Sequence, residues 1–124
     1  IHRITPWKIN VTSNGYCLDA SLLAGRNVYL NQECHENRNQ DWYMLDGNLV
    51  SLEDGKCLDY HLGTNNVYMQ ECHDGRNQKW YFDEDTAYIR SEEDHKCLTM
   101  DSNGHGVNIN VVMGECADEN NQKF

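Results

Sequence analysis

Basic residues are scarce in this sequence: 10 Lys and Arg stand against 20 Asp and Glu, giving a formal net charge of -10. Nucleic-acid backbones and anionic membrane surfaces are bound chiefly through Lys and Arg, so this balance argues against both as partners. Long apolar runs are also missing, and none approaches the roughly 18 residues of a transmembrane helix. Without a Cys-x-x-Cys pair or a Gly-rich phosphate loop, the chain lacks the usual signals of zinc and phosphate sites.

Helical periodicity is absent as well. Turn-forming pairs such as Asn14-Gly15 and Asp54-Gly55 divide the chain into short stretches. Alternating runs such as Val28-Tyr29-Leu30 and Tyr88-Ile89-Arg90 lie between such pairs and are typical of strands. At 124 residues, the sequence therefore predicts one all-β domain with a modest core.

The sequence does contain an internal repeat with a period of about 40 residues. Its three copies cover approximately residues 9–46, 47–86 and 87–124. Each copy holds a Cys-Leu pair, an Asn-Val step, a Glu-Cys pair and an Asn-Gln-x-aromatic ending. The first copy reads Cys17-Leu18-Asp19, Asn27-Val28-Tyr29, Glu33-Cys34 and Asn39-Gln40-Asp41-Trp42; the second, Cys57-Leu58-Asp59, Asn66-Val67-Tyr68, Glu71-Cys72 and Asn77-Gln78-Lys79-Trp80; the third, Cys97-Leu98-Thr99, Asn110-Val111-Val112, Glu115-Cys116 and Asn121-Gln122-Lys123-Phe124. Such a period indicates stacked units that share one core.

Each unit is predicted to hold four short strands. Three units fit a threefold barrel with hairpin caps better than a propeller, which typically needs at least four blades. Period-2 alternation places Val67 and Met69 inward and Tyr68 and Gln70 outward. The closing Trp is predicted to be a core residue. The third copy stops at Phe124, so we expect either a longer natural chain or replacement of its last strand by residues 1–7.

Two cysteines fall in each copy, and none is left over. Six cysteines allow 15 pairings in principle, but the repeat symmetry favours one disulfide within each copy: Cys17–Cys34, Cys57–Cys72 and Cys97–Cys116. A small domain with this many disulfides is expected in an oxidising compartment. We therefore expect the protein to be secreted or to lie in the lumen of the secretory pathway. Because the chain starts at Ile1 rather than Met, we expect a processed product or a module of a longer protein.

The three copies together resemble the ricin B-type lectin family, whose repeats end in Gln-x-Trp, and the likeness covers essentially the whole chain. The second copy is especially similar to the lectin domains of polypeptide N-acetylgalactosaminyltransferases. The resemblance implies a β-trefoil of three roughly 40-residue repeats. It also implies binding of terminal galactose or N-acetylgalactosamine glycans in up to three shallow pockets, one per repeat.

The resemblance also assigns roles to residues. The Asp after the first Cys accepts hydrogen bonds from sugar hydroxyls, the Asn before the Gln donates to the same hydroxyls, and the residue after the second Cys lines the pocket. The Gln orients the Asp from behind. In this sequence those positions are Asp19, Asn39, His35 and Gln40 in the first copy and Asp59, Asn77, His73 and Gln78 in the second.

One departure concerns the surface on which the sugar stacks. Galactose-binding members usually carry an aromatic residue two positions before the second Cys, where this chain has Gln32, Gln70 and Gly114. We expect Tyr29 and Tyr68 to replace it as sugar contacts. This Asn-Val-Tyr arrangement is similar to that of actinohivin, a trefoil lectin of high-mannose glycans, so mannose-type glycans are an alternative ligand.

The other departure is the third copy, which has Thr99, Val112 and Ala117 where the first two have Asp, Tyr and His. Of the four sugar-contact positions, only that of Asn121 is kept. Losing the Asp removes the main hydroxyl acceptor, so we expect two functional sites rather than three.

Two other classes of function remain as alternatives. One is a trefoil that has lost sugar binding and binds a protein instead. The other is catalysis, which the sequence does not favour, because a Cys-His pair within a disulfide offers no thiolate. No catalytic residue, metal ion or cofactor is expected. The expected partners are glycans of glycoproteins or glycolipids, together with an attached catalytic or toxin domain.

Overall fold

A computed structural model describes residues 3–20, 27–101 and 108–124. Within these ranges the chain forms strands, joined by turns and three single-turn 3-10 helices. The strands are β1 (Arg3–Trp7), β2 (Cys17–Ala20), β3 (Val28–Asn31), β4 (Trp42–Leu45), β5 (Asn48–Ser51), β6 (Cys57–His61), β7 (Asn66–Gln70), β8 (Trp80–Asp83), β9 (Tyr88–Ser91), β10 (Cys97–Met100) and β11 (Asn108–Gly114). The 3-10 helices are Arg38–Gln40, Arg76–Gln78 and Asn120–Gln122. No helix in these ranges is long and apolar enough to cross a bilayer.

The strand pairing follows the repeat. Each copy contributes one antiparallel hairpin, β2–β3, β6–β7 or β10–β11, that starts at its first Cys. A second type of hairpin, β4–β5 or β8–β9, joins one copy to the next. Strand β11 also pairs with both β3 and β7, so the three hairpins meet around a common axis. This threefold arrangement is the β-trefoil that the sequence predicts.

The core forms where the strands turn their apolar side chains inward. Val67 and Met69 are buried while Tyr68 and Gln70 are only partly so, as the alternation predicts. Trp42 and Trp80 are buried, and their indole N–H groups donate to the carbonyls of the Leu one residue before each Asp. Phe124 packs against the same core. The closing aromatic is therefore a core residue, and in the first two copies its indole also anchors the strand that carries the Asp.

A disulfide closes each copy, and hydrogen bonds between asparagines join the three copies. The three disulfides are the ones predicted from the repeat symmetry: Cys17–Cys34, Cys57–Cys72 and Cys97–Cys116. On the common axis, the Asn of each Asn-Val step donates to the next in a closed cycle, which we call the asparagine ring. The donor–acceptor distances are 2.7 Å from Asn27 to Asn110, 2.9 Å from Asn66 to Asn27 and 3.4 Å from Asn110 to Asn66.

The first strand runs along the first repeat. β1 pairs antiparallel with β4, with Arg3 opposite Met44 and Trp7 opposite Trp42. The segment before the first copy therefore adds a strand beside the last strand of that copy.

Candidate functional site

Asp59 lies at the centre of a polar group in the second repeat. It follows Cys57-Leu58 on β6 and is almost completely buried, with 5% of its surface exposed. Asn77 donates from Nδ2 to Asp59 Oδ1 at 3.0 Å, and Gln78 donates from Nε2 to Oδ2 at 2.8 Å. Both donors lie on the same 3-10 helix, so one short turn fixes both carboxylate oxygens.

Gln78 also holds the loop that carries His73. Its Nε2 donates to the Glu71 carbonyl at 3.0 Å, and its Oε1 accepts the His73 backbone N–H at 2.8 Å. His73 Nδ1 in turn accepts the Gly75 N–H at 2.9 Å, which leaves Nε2 as the donor, 3.6 Å from Asp59 Oδ2. The imidazole is half exposed and therefore forms a polar wall beside the carboxylate.

Tyr68 forms a second wall beside the carboxylate. It stands directly across the hairpin from Asp59 and is half-buried. Cross-strand neighbours on one face are close enough for their side chains to interact. A second aromatic ring, that of His61, meets Tyr68 edge-to-face with 5.9 Å between ring centroids. His61 was not among the predicted site residues because it belongs to no part of the repeated motif.

The first repeat builds the same group around Asp19. Asn39 Nδ2 donates to Oδ1 at 2.8 Å and Gln40 Nε2 to Oδ2 at 3.0 Å, and His35 Nε2 lies 3.7 Å from Oδ2. Tyr29 again faces the Asp across the hairpin. Burial raises the pKa of Tyr29, and the charge and hydrogen bonding of Asp19 raise it further. The structure thus brings together all five predicted residues of this copy.

One hydrogen-bond donor to Asp19 in the first repeat is not predicted from the sequence. Asn31 Nδ2 donates to Asp19 Oδ2 at 3.1 Å. Asn31 faces Cys17 across its hairpin, as Gln70 faces Cys57 and Gly114 faces Cys97. Counting back from the second Cys places Gln32 at this position. That assignment is wrong, because the first copy has one more residue between the hairpin and its second Cys.

The third repeat keeps the scaffold without the carboxylate. Gln122 donates to the Glu115 carbonyl at 2.8 Å and accepts the Ala117 N–H at 2.8 Å, as its counterparts do. Its remaining bond goes to the Thr99 hydroxyl at 3.1 Å. Asn121 donates to the Met100 carbonyl instead of to an Asp. This copy therefore has the same loop geometry, with a hydroxyl in place of the carboxylate at position 99.

A profile of the family described as "Ricin-type beta-trefoil lectin domain" matches residues 6–124. The chain belongs to the ricin-type β-trefoil lectin family. Among solved structures, it is similar to the designed threefold-symmetric protein ThreeFoil (26% identity, 94% of each chain covered, TM-score 0.79). It is also similar in fold to the C-half of the earthworm R-type lectin in complex with GalNAc (17% identity, 95% of this chain and 94% of that chain covered, TM-score 0.81).

A third similar fold occurs within a larger protein. The structure of GalNAc-T7 with UDP, GalNAc and Mn2+ matches at 20% identity with a TM-score of 0.76, covering 98% of this chain and 22% of that one. A search of curated proteins found no match.

The chemistry available to this ricin-type lectin domain is that of hydrogen bonding beside aromatic rings. Each complete group offers carboxylate acceptors, amide and imidazole donors, and the face of a Tyr. Among the described residues, no group of three or more His, Cys, Asp or Glu side chains is placed to hold a metal ion. Such a set of side chains fits a neutral, hydroxyl-rich ligand with an apolar face.

Proposed function

We propose that this domain binds glycans that end in galactose or N-acetylgalactosamine, through two shallow sites in the first and second repeats. The observation that carries the proposal is the buried carboxylate of Asp19 and of Asp59. Each is held by an Asn and a Gln from one 3-10 helix and bordered by a His and a Tyr. We propose no catalytic role for either carboxylate, and binding alone is the function inferred.

The proposal rests on the match between these groups and a pyranose. Adjacent hydroxyls of a sugar present a donor and an acceptor side by side, which suits a carboxylate next to an amide N–H. A carboxylate offers about four acceptor positions. Among the described residues, Asp59 receives side-chain hydrogen bonds from Asn77 and Gln78, so acceptor positions remain for hydroxyls. Tyr68 supplies an aromatic face for the C–H side of the sugar.

The sugar class is the finer part of the proposal. GalNAc is bound to the related earthworm lectin, which makes galactose-type sugars the first to test. Mannose-type glycans are the second candidate. They are favoured by the polar residues Asn31 and Gln70 at the hairpin position where galactose-binding members usually carry an aromatic residue, and by Tyr29 and Tyr68 on the same face.

Two sites on one rigid domain also define the kind of partner. Shallow sugar sites bind weakly on their own, so useful affinity is gained when both sites engage glycans on one surface. We propose glycoproteins or glycolipids outside the cell or in the secretory lumen as that surface, which agrees with the three disulfides. We further propose that the domain works as a module of a longer protein, beside a catalytic or toxin part.

A glycan array with matched isosteric variants tests the proposal. Asp19→Asn and Asp59→Asn keep the side-chain shape but lose the charge, and Thr99→Val makes a similarly isosteric change at the same position of the third repeat. We expect a weaker signal from each Asp variant, none from the double variant, and no change from Thr99→Val. Undiminished binding by the double variant would place the site elsewhere. A blank array for the unchanged domain would favour a protein ligand.

A further inference from the structure

The hairpin between β6 and β7 extends the second site on one side. His61 is the last residue of β6 and lies two positions beyond Asp59, so both side chains are on the same face of the strand. Its ring is exposed and packs edge-to-face against Tyr68. Leu62, the next residue, is 51% exposed. The tip therefore presents two rings and an apolar side chain beside the carboxylate.

His61 is held in a defined orientation. The Thr64 hydroxyl oxygen accepts the Asn66 N–H at 3.3 Å and lies 3.1 Å from His61 Nδ1, so the hydroxyl hydrogen is available to that nitrogen. In the tautomer in which Nδ1 accepts this hydrogen, Nε2 carries the ring hydrogen. The imidazole thus has a donor that none of its contacts uses within the described residues.

The hairpin tip is itself braced against the third repeat. The Asn65 carbonyl accepts the Met113 N–H at 2.8 Å. The Tyr60 hydroxyl donates to Asp94 Oδ2 at 2.8 Å, and its oxygen lies 3.2 Å from Asn65 Oδ1. Groups that are already ordered before a ligand arrives lose less entropy on binding. The tip is therefore a prearranged surface rather than a free loop.

We propose that His61, with Tyr68, forms a subsite for the second sugar of an oligosaccharide whose terminal sugar lies at Asp59. This inference rests on the proposed lectin function and deepens it for the second repeat alone. The sequence position that matches His61 is Ser21 in the first copy and Asp101 in the third, so neither other copy carries an imidazole there. The two binding sites then differ in the length of glycan that they recognise.

The spacing supports a second sugar rather than a second contact to the first one. Two residues along a strand are separated by about 6.6 Å, roughly one sugar ring along the hairpin. His73 already borders Asp59, with Nε2 3.6 Å from Asp59 Oδ2. Tyr68 stands across the hairpin from Asp59 and packs against His61, and so is shared by both positions. The donor at His61 Nε2 is the polar contact available to the neighbouring sugar.

The test uses a domain with Asp19→Asn, in which only the second site is left to bind. Affinity is measured by calorimetry for methyl β-galactoside and N-acetyllactosamine, and for methyl α-mannoside and mannobiose. We expect His61→Ala to weaken binding of the disaccharide by roughly fivefold, the value of about one hydrogen bond, and to leave the monosaccharide within about twofold. His61→Gln, which keeps an N–H donor, should retain part of the disaccharide affinity.

The possible outcomes distinguish a failure of the second-sugar subsite from a failure of the proposed lectin function. Equal loss for monosaccharide and disaccharide, or no loss for either, would overturn the second-sugar subsite while leaving the lectin function intact. If the Asp19→Asn domain binds none of the four sugars before His61 is changed, the proposed function of the second site fails first. The unfolding curves of the His61 variants are compared with that of their parent. Matching curves show that the loss of disaccharide affinity does not come from a loss of folding.

Discussion

Replacing Gln78 by Leu tests how much of the second site is scaffold and how much is charge recognition. The buried Gln78 amide makes three hydrogen bonds, two with backbone groups and one with the Asp59 carboxylate. A hydrogen bond between neutral groups contributes about 1 kcal/mol and one to a charged group about 2 kcal/mol. The expected decrease in the free energy of unfolding is therefore about 4 kcal/mol.

The third repeat supplies a matched control for this change. Gln122 makes the same two backbone bonds, but its third partner is the neutral Thr99 hydroxyl. Gln122→Leu is therefore expected to cost about 3 kcal/mol, and the difference of about 1 kcal/mol isolates the bond to the carboxylate. The gain from burying Leu is similar in both variants and cancels in the comparison.

Urea unfolding at neutral pH, with the disulfides intact, measures both values, and sugar titration adds a functional comparison. Gln78→Leu should weaken sugar binding at the second site because Asp59 loses the donor that fixes Oδ2, whereas Gln122→Leu should leave both binding sites unchanged. If Gln122→Leu destabilises the domain more than Gln78→Leu does, the charge of the hydrogen-bond partner does not explain the difference in stability loss between the two repeats. Unchanged sugar affinity in Gln78→Leu would refute the role of Gln78 in orienting Asp59.

Three further changes have expected outcomes. Asn66→Ala opens the asparagine ring and removes two of its hydrogen bonds, so urea unfolding should show a loss of about 2 kcal/mol. Gly55→Ala should cost about 1 kcal/mol in the same assay from backbone strain alone, because φ is +72° and no atom lies within 4 Å of the added Cβ. Gly75→Ala should weaken second-site sugar binding in calorimetry by about fivefold or more, because its Cβ would lie 2.7 Å from the His73 ring and 2.9 Å from Asn77 Oδ1.

The fold was predictable because the repeat encodes it three times. A strand too short to be identified on its own becomes clear when its Cys, Leu and aromatic positions recur at one spacing. The same symmetry selected one disulfide pattern from fifteen, and the structure confirms all three bonds. The asparagine ring was not predictable in this way. The motif contains all three of its residues, but their contact depends on three distant hairpins meeting at the axis.

The candidate site was predictable only where it coincides with the repeated motif. Asp59, Asn77 and Gln78 recur in register, and the structure brings them within hydrogen-bonding distance. Asn31 was missed because the first copy carries one extra residue after its hairpin, so its distance from the second Cys differs. His61 was missed because it lies outside the motif, and only the packing of its ring on Tyr68 identifies it.

The repeated Gln-x-aromatic ending is a better predictor of the fold than of sugar binding. Gln122 closes its loop with the same two backbone bonds as the other copies although Thr99 offers no carboxylate. The number of candidate sites therefore follows from the number of Asp carboxylates rather than from the number of Gln residues, and it is two. Even these are unequal, because Asp19 receives side-chain bonds from Asn31 as well as from its Asn and Gln, and is 1% exposed against 5% for Asp59. The Asp19 carboxylate therefore has fewer acceptor positions left for sugar hydroxyls than the Asp59 carboxylate, so the second site is the one expected to bind more tightly.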